Sequence, residues 1–210
     1  EENHPFLDAV FCCVLRYQSV LQKGFQAAST ADVFGAIREA FNARFECFAS
    51  PLNCRYKFFC SAFPDTDAIF GSLGSFFALN PRSGSFQLNP PFVDDLIIEM
   101  VERLNHLLQT ADNHNRQLTF VVVIGANAGS RSGSAALNTL RASPYCRSEL
   151  VCKKNEHLYL DGDQHASGET RLSPCDTAVF ILQSAQAEMD SAAKDAKMQQ
   201  VRESFRVGLK

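Results

Sequence analysis

The sequence predicts an α/β fold: an open, mostly parallel sheet with helices on its faces. Three observations carry that prediction. Residues 93–108 place Val93, Leu96, Ile97, Met100, Val101, Leu104, Leu107 and Leu108 at helical spacing, the pattern of a helix with one buried face. After it, 118–124 (LTFVVVI) is an unbroken apolar run, as strands buried on both faces read. Further β-rich runs at 45–48 and 177–182 alternate with helical patterns, the order of strands joined by helical crossovers.

Taken in order, the first helix candidate carries Phe6, Val10, Phe11, Val14, Leu15 and Leu21. It is more apolar than a solvated helix needs and is expected to pack on the sheet. A second helix spans 31–41, with Thr30 or Ser29 as its cap. Residues 45–48 form the first strand, and 84–88 form another that ends at Asn89. In the helix of 93–108, Asp94 and Asp95 occupy the first turn, where the helix dipole favours negative charge. The run 118–124 follows as a strand, 149–159 reads as one strand, and 177–182 as another. The tail, 185–210, is polar and mixed in charge, with Met189, Met198, Val201 and Phe205 as its few apolar anchors. It is expected to be helical and peripheral. The chain thus divides into an N-terminal helical segment (1–44), a sheet domain (45–184) and the tail.

The composition allows one sizeable core: 210 residues, 46% of them hydrophobic, leave no room for two ordinary domains. No apolar run approaches the ~20 residues that span a bilayer, and no signal peptide is visible at the start. The eight cysteines include no Cys-x-x-Cys pair, which favours free thiols over a disulfide or zinc framework, and the five histidines are scattered without ligand spacing. No metal site is expected. A formal charge of −3 does not exclude an RNA partner, because a local basic face suffices for backbone contacts. Arg141, Arg147, Lys153 and Lys154 are the candidates, although Lys153 and Lys154 read equally well as a solvated pair.

The chemistry concentrates at Asn89, Pro90, Pro91 and Phe92, between a strand and an amphipathic helix. The exocyclic nitrogen of adenine is a poor nucleophile until its two hydrogens are held and its lone pair is turned toward an electrophile. The Asn89 side-chain oxygen is one acceptor. Pro90 supplies a second, since its φ is locked and it carries a C=O with no competing donor. Phe92 offers a flat face for a base, a contact worth roughly 1–3 kcal/mol in single-stranded nucleic-acid binders. An Asn or Asp followed by Pro-Pro and an aromatic is the signature of enzymes that transfer a methyl group to an adenine amine. Such enzymes extrude a base or accept an unpaired one, and positioning does most of the work. A Pro-Pro pair is also often simply a rigid turn. The loop 125–133 invites a phosphate-binding reading but lacks the Gly-Lys-Ser/Thr ending, so it is expected to be a lid or connector.

The resemblance is specific. The strings FECFASPLNC at 45–54, FCSAFPDTD at 59–67, FGSLG at 70–74 and SGSF at 83–86, running into Asn89, Pro90, Pro91 and Phe92, resemble the cap-specific adenosine N6-methyltransferase family of phosphorylated-CTD-interacting factors. The likeness resumes at 152–154, Tyr159 and 176–179, and weakly at 15–18. It implies a Rossmann-like class I methyltransferase domain over 45–184. The implied reaction methylates N6 of the adenosine next to the mRNA 5′ cap, in the nucleus, with S-adenosyl-L-methionine as donor. It assigns Asn89, Pro90, Pro91 and Phe92 as the catalytic motif and places Gly74, Ser75, Phe76, Phe77 and Asp94 beside the cofactor. In that class the first strand carries an acid and then a glycine-rich turn; here Glu46 is the acid, but Ala49 and Ser50 stand where glycines belong. Contacts from Glu46, Ser50, Pro51 and Asn53 are still expected, while Ser50 before Pro51 reads equally as a helix cap. Lys153, Lys154 and Arg147 are the expected RNA contacts. The implied substrate is capped RNA beginning with adenosine, with a helical domain or partner protein completing its groove; 1–44 would be a remnant of such a domain. The family's Pro-Glu-Trp segment after the strand of 119–124 is replaced by Gly125 and its successors. Two alternatives stand beside this reading: an adenine-N6 methyltransferase for internal RNA or DNA sites, and a non-catalytic scaffold in an RNA-processing assembly.

Overall fold

The structure, a computed structural model, describes residues 5–20, 27–126, 131–161 and 170–209. In chain order the elements are α1 (Pro5–Val20), β1 (Ala27–Ala28), α2 (Ala31–Phe41), α3 (Pro64–Asp67), β2 (Gly84–Leu88), α4 (Asp94–Asn113), β3 (Leu118–Ala126), α5 (Arg131–Ala142), β4 (Cys146–Cys152), β5 (Leu158–Asp161), β6 (Thr170–Leu172), β7 (Asp176–Gln183) and α6 (Ser191–Ser204).

The main sheet has the order β2-β3-β7-β4. Only the β2–β3 pairing is parallel, because β7 lies antiparallel between β3 and β4; by direction β2, β3 and β4 run one way and β7 alone runs against them, the one exception to the expected parallel arrangement in these four strands. Composition cannot reveal such an inserted strand, because β7 is buried on both faces and reads like any parallel core strand. Beyond β2 the parallel side continues through single bridged residues: Gln87 to Glu46, Glu46 to Phe59, and Phe59 to Ser72. Successive parallel segments need about a dozen connecting residues, and the links between Glu46, Phe59 and Ser72 just meet that minimum without a long helix. Counted along the chain from Glu46, the spatial order is third, second, first, fourth, fifth. The direction of winding therefore reverses between Glu46 and β2. In sheets of this kind ligands bind outside the strand carboxyl ends at that reversal.

Alternation along β3 and β7 sorts the core into two layers. Phe120, Val122, Ile124, Ala178, Phe180 and Leu182 meet α4 and α5, whereas Val121, Val123, Val179 and Ile181 meet α2 and α6. α4 starts where Pro90 and Pro91 end, since proline is excluded from a helix interior, and Asp94 and Asp95 fill its first turn. α2 is capped by Thr30, whose hydroxyl accepts the Val33 N–H, and closes at Asn42 in the left-handed region.

Four further expectations change. α1 does not pack on the sheet but on the segment around α3, through Tyr17 against Phe63 and a 2.6 Å bond from the Tyr17 hydroxyl to the buried Asp67. The expected strand 149–159 is broken: β4 ends at Cys152, a turn follows, and β5 joins a separate antiparallel sheet of order β1-β5-β6. α5 occupies part of what reads as a loop; residues 127–130 of that loop lie outside the described residues. The tail is helical but not peripheral, with Met198, Val201 and Phe205 buried in the α2 layer. All eight cysteines are free thiols.

Candidate active site

The carboxyl edge of the sheet gathers the segments that leave Glu46, Ser72, β2 and β3. Leu88 pairs with Val122, so the chain leaving β2 runs beside the last residues of β3 before turning into α4. Asn89 is half-buried, Pro90 buried, and Pro91 and Phe92 exposed, Phe92 to 42%. The Pro91 carbonyl accepts the Val93 N–H at 2.8 Å, and the Val93 carbonyl accepts from Ile97 at 3.0 Å as the helix begins. Among the described residues no backbone N–H reaches the Pro90 carbonyl. A carboxamide and a carbonyl on successive residues thus leave the carboxyl end of β2, Asn89 Oδ1 being buried, with the exposed ring of Phe92 two residues after Pro90.

Across the reversal, the turn after Cys47 is closed by its own side chains. The Ser50 N–H and hydroxyl donate to Asn53 Oδ1 at 2.8 and 3.1 Å, while the Asn53 and Cys54 N–H groups return to the Ser50 carbonyl at 3.1 and 2.9 Å. Ser50 is buried, Pro51 half-buried and Asn53 exposed. Glu46 is buried beneath this turn: it is 6% exposed, and its Oε1 accepts the Arg55 and Tyr56 N–H groups at 2.6 and 3.3 Å. Burial pushes its carboxyl up to about 7, against the pull of those two N–H groups and the Arg55 charge. Its visible work is to anchor the loop that carries Ser50, Pro51 and Asn53.

Gly74 follows the Ser72 bridge with φ +90, a left-handed conformation that favours glycine. Its carbonyl accepts the Ser61 N–H at 3.0 Å. The Ser75 hydroxyl accepts the Phe77 N–H and caps the short turn Phe76–Ala78. Phe76 is buried against Phe48, and Phe77 touches both rings. Asp94 is half-buried in the first turn of α4. The structure therefore brings Ser50, Pro51, Asn53, Gly74, Ser75, Asn89, Pro90, Pro91, Phe92 and Asp94 to one edge, with Phe76 beneath them.

The basic candidates separate. β4 runs in the direction of β2 and β3, so Lys153 and Lys154 leave it on the same edge as Asn89, three strand spacings or roughly 14 Å away. Lys153 Nζ pairs with Asp176 at 3.0 Å, and the Lys154 N–H donates to the same carboxylate at 2.7 Å; that N–H and the lysine hold the Asp176 carboxyl below its ordinary value. Arg147 does not join them. It stands at the amino-terminal end of β4, on the opposite edge, with its side chain on the Pro144 carbonyl and Glu188. Arg141 is likewise engaged by Glu149.

Two features have no place in the sequence reading. Gly125, treated there only as the first residue of a loop, lies directly against the Phe92 ring. Its neighbour on β7, Thr177, joins a buried chain: His157 Nδ1 faces the Lys153 carbonyl at 2.8 Å, which only accepts, so the ring's proton sits there. His157 Nε2 then accepts from the Thr177 hydroxyl at 2.7 Å, whose oxygen accepts from the Tyr159 hydroxyl at 2.8 Å. Burial lowers the His157 pKa and keeps the ring neutral. This chain ties the turn carrying Lys153 and Lys154 to the sheet, and no spacing in the sequence announces it. Among the described residues no group of His, Cys, Asp or Glu has the arrangement to hold a metal ion, and no helix is long and apolar enough to cross a membrane.

Comparison with known proteins completes the picture. Residues 1–162 match the family described as Phosphorylated CTD interacting factor 1 WW domain. With no tryptophan in the chain, the matched part is not the tryptophan-paired module of that description. A Homo sapiens protein named mRNA (2'-O-methyladenosine-N(6)-)-methyltransferase is 34% identical over 210 residues, covering 96% of this chain and 29% of that protein. A Mus musculus protein of the same name is 37% identical over 187 residues, covering 85% of this chain and 26% of that protein. The chain thus spans under a third of the length of these relatives. A match over residues 1–162, about three quarters of the sequence, makes this chain a member of the phosphorylated CTD interacting factor 1 family.

Proposed function

We propose that this chain is the catalytic part of an S-adenosyl-L-methionine-dependent methyltransferase that adds a methyl group to N6 of the adenosine next to an mRNA 5′ cap. The carrying observation is the position of Asn89, Pro90, Pro91 and Phe92 on the carboxyl edge, beside the point where the winding of the sheet reverses. The names of the relatives support the reaction class, and the third-second-first-fourth-fifth order supports a Rossmann-like class I methyltransferase fold.

The residues at the edge fit the donor. Ala49, Ser50, Gly74 and Ser75 are small enough for a ligand to approach backbone, and Asp94 adds a carboxylate nearby. S-adenosyl-L-methionine supplies a methyl group made electrophilic by its sulfonium. The chain supplies position: Asn89 Oδ1 and the Pro90 carbonyl accept the two hydrogens of the adenine amine, turning its lone pair toward the methyl. Phe92 stacks on the base. The proton released from nitrogen passes to solvent after transfer, so no general base is required. Capped RNA beginning with adenosine is the substrate of this reading; Lys153 and Lys154 take its backbone further along the edge, and the nucleus is where such RNA is made. A helical domain or partner protein completes the groove.

Asn89→Ala, assayed for methyl transfer to capped, adenosine-initiated RNA, is expected to lose about 10²–10³-fold in rate, the effect of removing one oriented hydrogen-bonding group at a reacting centre. Unchanged transfer sinks the mechanism. Calorimetry with S-adenosylhomocysteine separates a scaffold, which need not bind it, from an enzyme.

A further inference from the structure

We propose that Gly125 is a positioning residue for base recognition, acting through Phe92; the inference rests on the reading of Phe92 as the stacking ring. A Cβ at position 125 would lie 2.5 Å from Phe92 Cε2, 2.9 Å from Cδ2 and 3.1 Å from Cζ. The first two distances are shorter than any side chain tolerates. The backbone gives no separate reason for glycine here, since among the described residues only Gly71, Gly74, Gly84 and Gly208 are glycines with positive φ. What position 125 requires is therefore space for one edge of a ring.

That space decides where the ring stands. Ile124 points into the layer of α4, so Gly125, next along the strand, belongs to the opposite face. Phe92 stands two residues before the start of α4 yet reaches over the carboxyl end of β3 to rest on Gly125, while 42% of the residue stays open to solvent. The ring is thus held along one edge and presented along the rest. An unsupported phenylalanine at a helix entrance would sample several rotamers and would have to be ordered by each incoming base. The missing side chain at 125 gives it a seat in advance.

The test is a double-mutant cycle on the full chain with Phe92→Ala, Gly125→Ala and both together. Binding of a capped, adenosine-initiated RNA oligonucleotide is the readout, and S-adenosylhomocysteine titration and thermal melts report on folding. Phe92→Ala is expected to weaken RNA binding about tenfold, within the range of a lost base stack. Gly125→Ala is expected to weaken it to a similar extent with Phe92 present, and by less than about twofold when Phe92→Ala is already in place. Equal losses in both backgrounds, or no loss with Phe92 present, overturn the proposal while leaving the stacking role intact. If Phe92→Ala itself changes nothing, the stacking role fails and this inference fails with it. A second readout needs no RNA: Phe92→Trp provides the chain's only tryptophan, and adding Gly125→Ala should shift its emission to the red by several nanometres as the ring leaves its seat. Unshifted emission also overturns the proposal.

Discussion

On one face of the main sheet, α4 and α5 cover strands that they directly follow or precede; on the other, α2 and α6 arrive from opposite ends of the chain and meet over β3 and β7. The first layer is assembled from local crossovers, β2 to α4 to β3 to α5. In the second, a side-chain bond from Gln200 to Glu39 at 3.1 Å closes a separation of 161 residues. The candidate edge draws on both, since Asn89 and Phe92 lie between β2 and α4 of the local layer while Thr177, the β7 neighbour of Gly125, bonds to His157 and Tyr159 on the distant side. A layer closed by the chain's end is as much part of the core as one closed by neighbours, and substitutions should show it.

The largest effect on stability is expected at Phe205. It is fully buried in the distant layer, with its ring against His157 and Tyr159. Phe205→Ala should destabilise by about 3–5 kcal/mol, comparable to the ~2–5 kcal/mol expected for Leu104→Ala in the local layer. Urea denaturation measures both. A loss below about 1 kcal/mol at Phe205, far under the cost of an ordinary core truncation, would return the tail to the periphery and break the comparison.

Glu46 comes next. Its folded pKa, about 7, stands above the unfolded value near 4.5, so the folded chain holds the extra proton between those values. Its contribution to stability is fully present below about pH 4.5 and is lost as pH rises through 7. Glu46→Gln keeps an acceptor for Arg55 and Tyr56 without a charge. It should flatten that decline, leaving the variant more stable than the parent at about pH 8 by on the order of 2–3 kcal/mol. Identical slopes for parent and variant between pH 4.5 and 7 would show that the folded chain does not hold the extra proton on this carboxyl.

The smallest effects belong to the lysines. Lys154→Ala should weaken capped-RNA binding a few-fold and reduce the salt slope by about 0.7, the signature of one lost phosphate contact to a single strand. Lys153→Ala should do less, because its ammonium is already paired with Asp176. Equal salt slopes for the parent and Lys154→Ala would remove this turn from the RNA path.

Legibility follows the same division. α2 and α4 could be read because period, cap and first-turn charge agree, and β3 because its apolar run is continuous. The motif was visible because its four residues are contiguous. The direction of β7, the break after Cys152 and the burial of Phe205 were not, since each depends on what lies beside the segment rather than within it. α5 was missed because the small and polar residues Ser132, Gly133 and Ser134 in its first turn read as a loop. Its apolar anchors, Ala136, Leu137 and Leu140, gain their meaning only from the core they enter beside α4. Arg147 was expected with Lys153 and Lys154 at the strand ends beside the motif, yet a strand of seven residues separates its ends by roughly 20 Å.

By itself, the sequence determined which segments would be helix or strand in most of the core, because side-chain period and backbone preference are local properties. It also determined the family and the candidate chemistry of Asn89, Pro90 and Phe92, because the motif is written in consecutive residues. Only the tertiary structure decided that β7 runs against its neighbours, that segments from the chain's two ends share one core layer, and that Phe92 rests on Gly125. Those outcomes depend on contacts between residues far apart in the chain, where the shape of the partner, and not the identity of the neighbour, sets the energy.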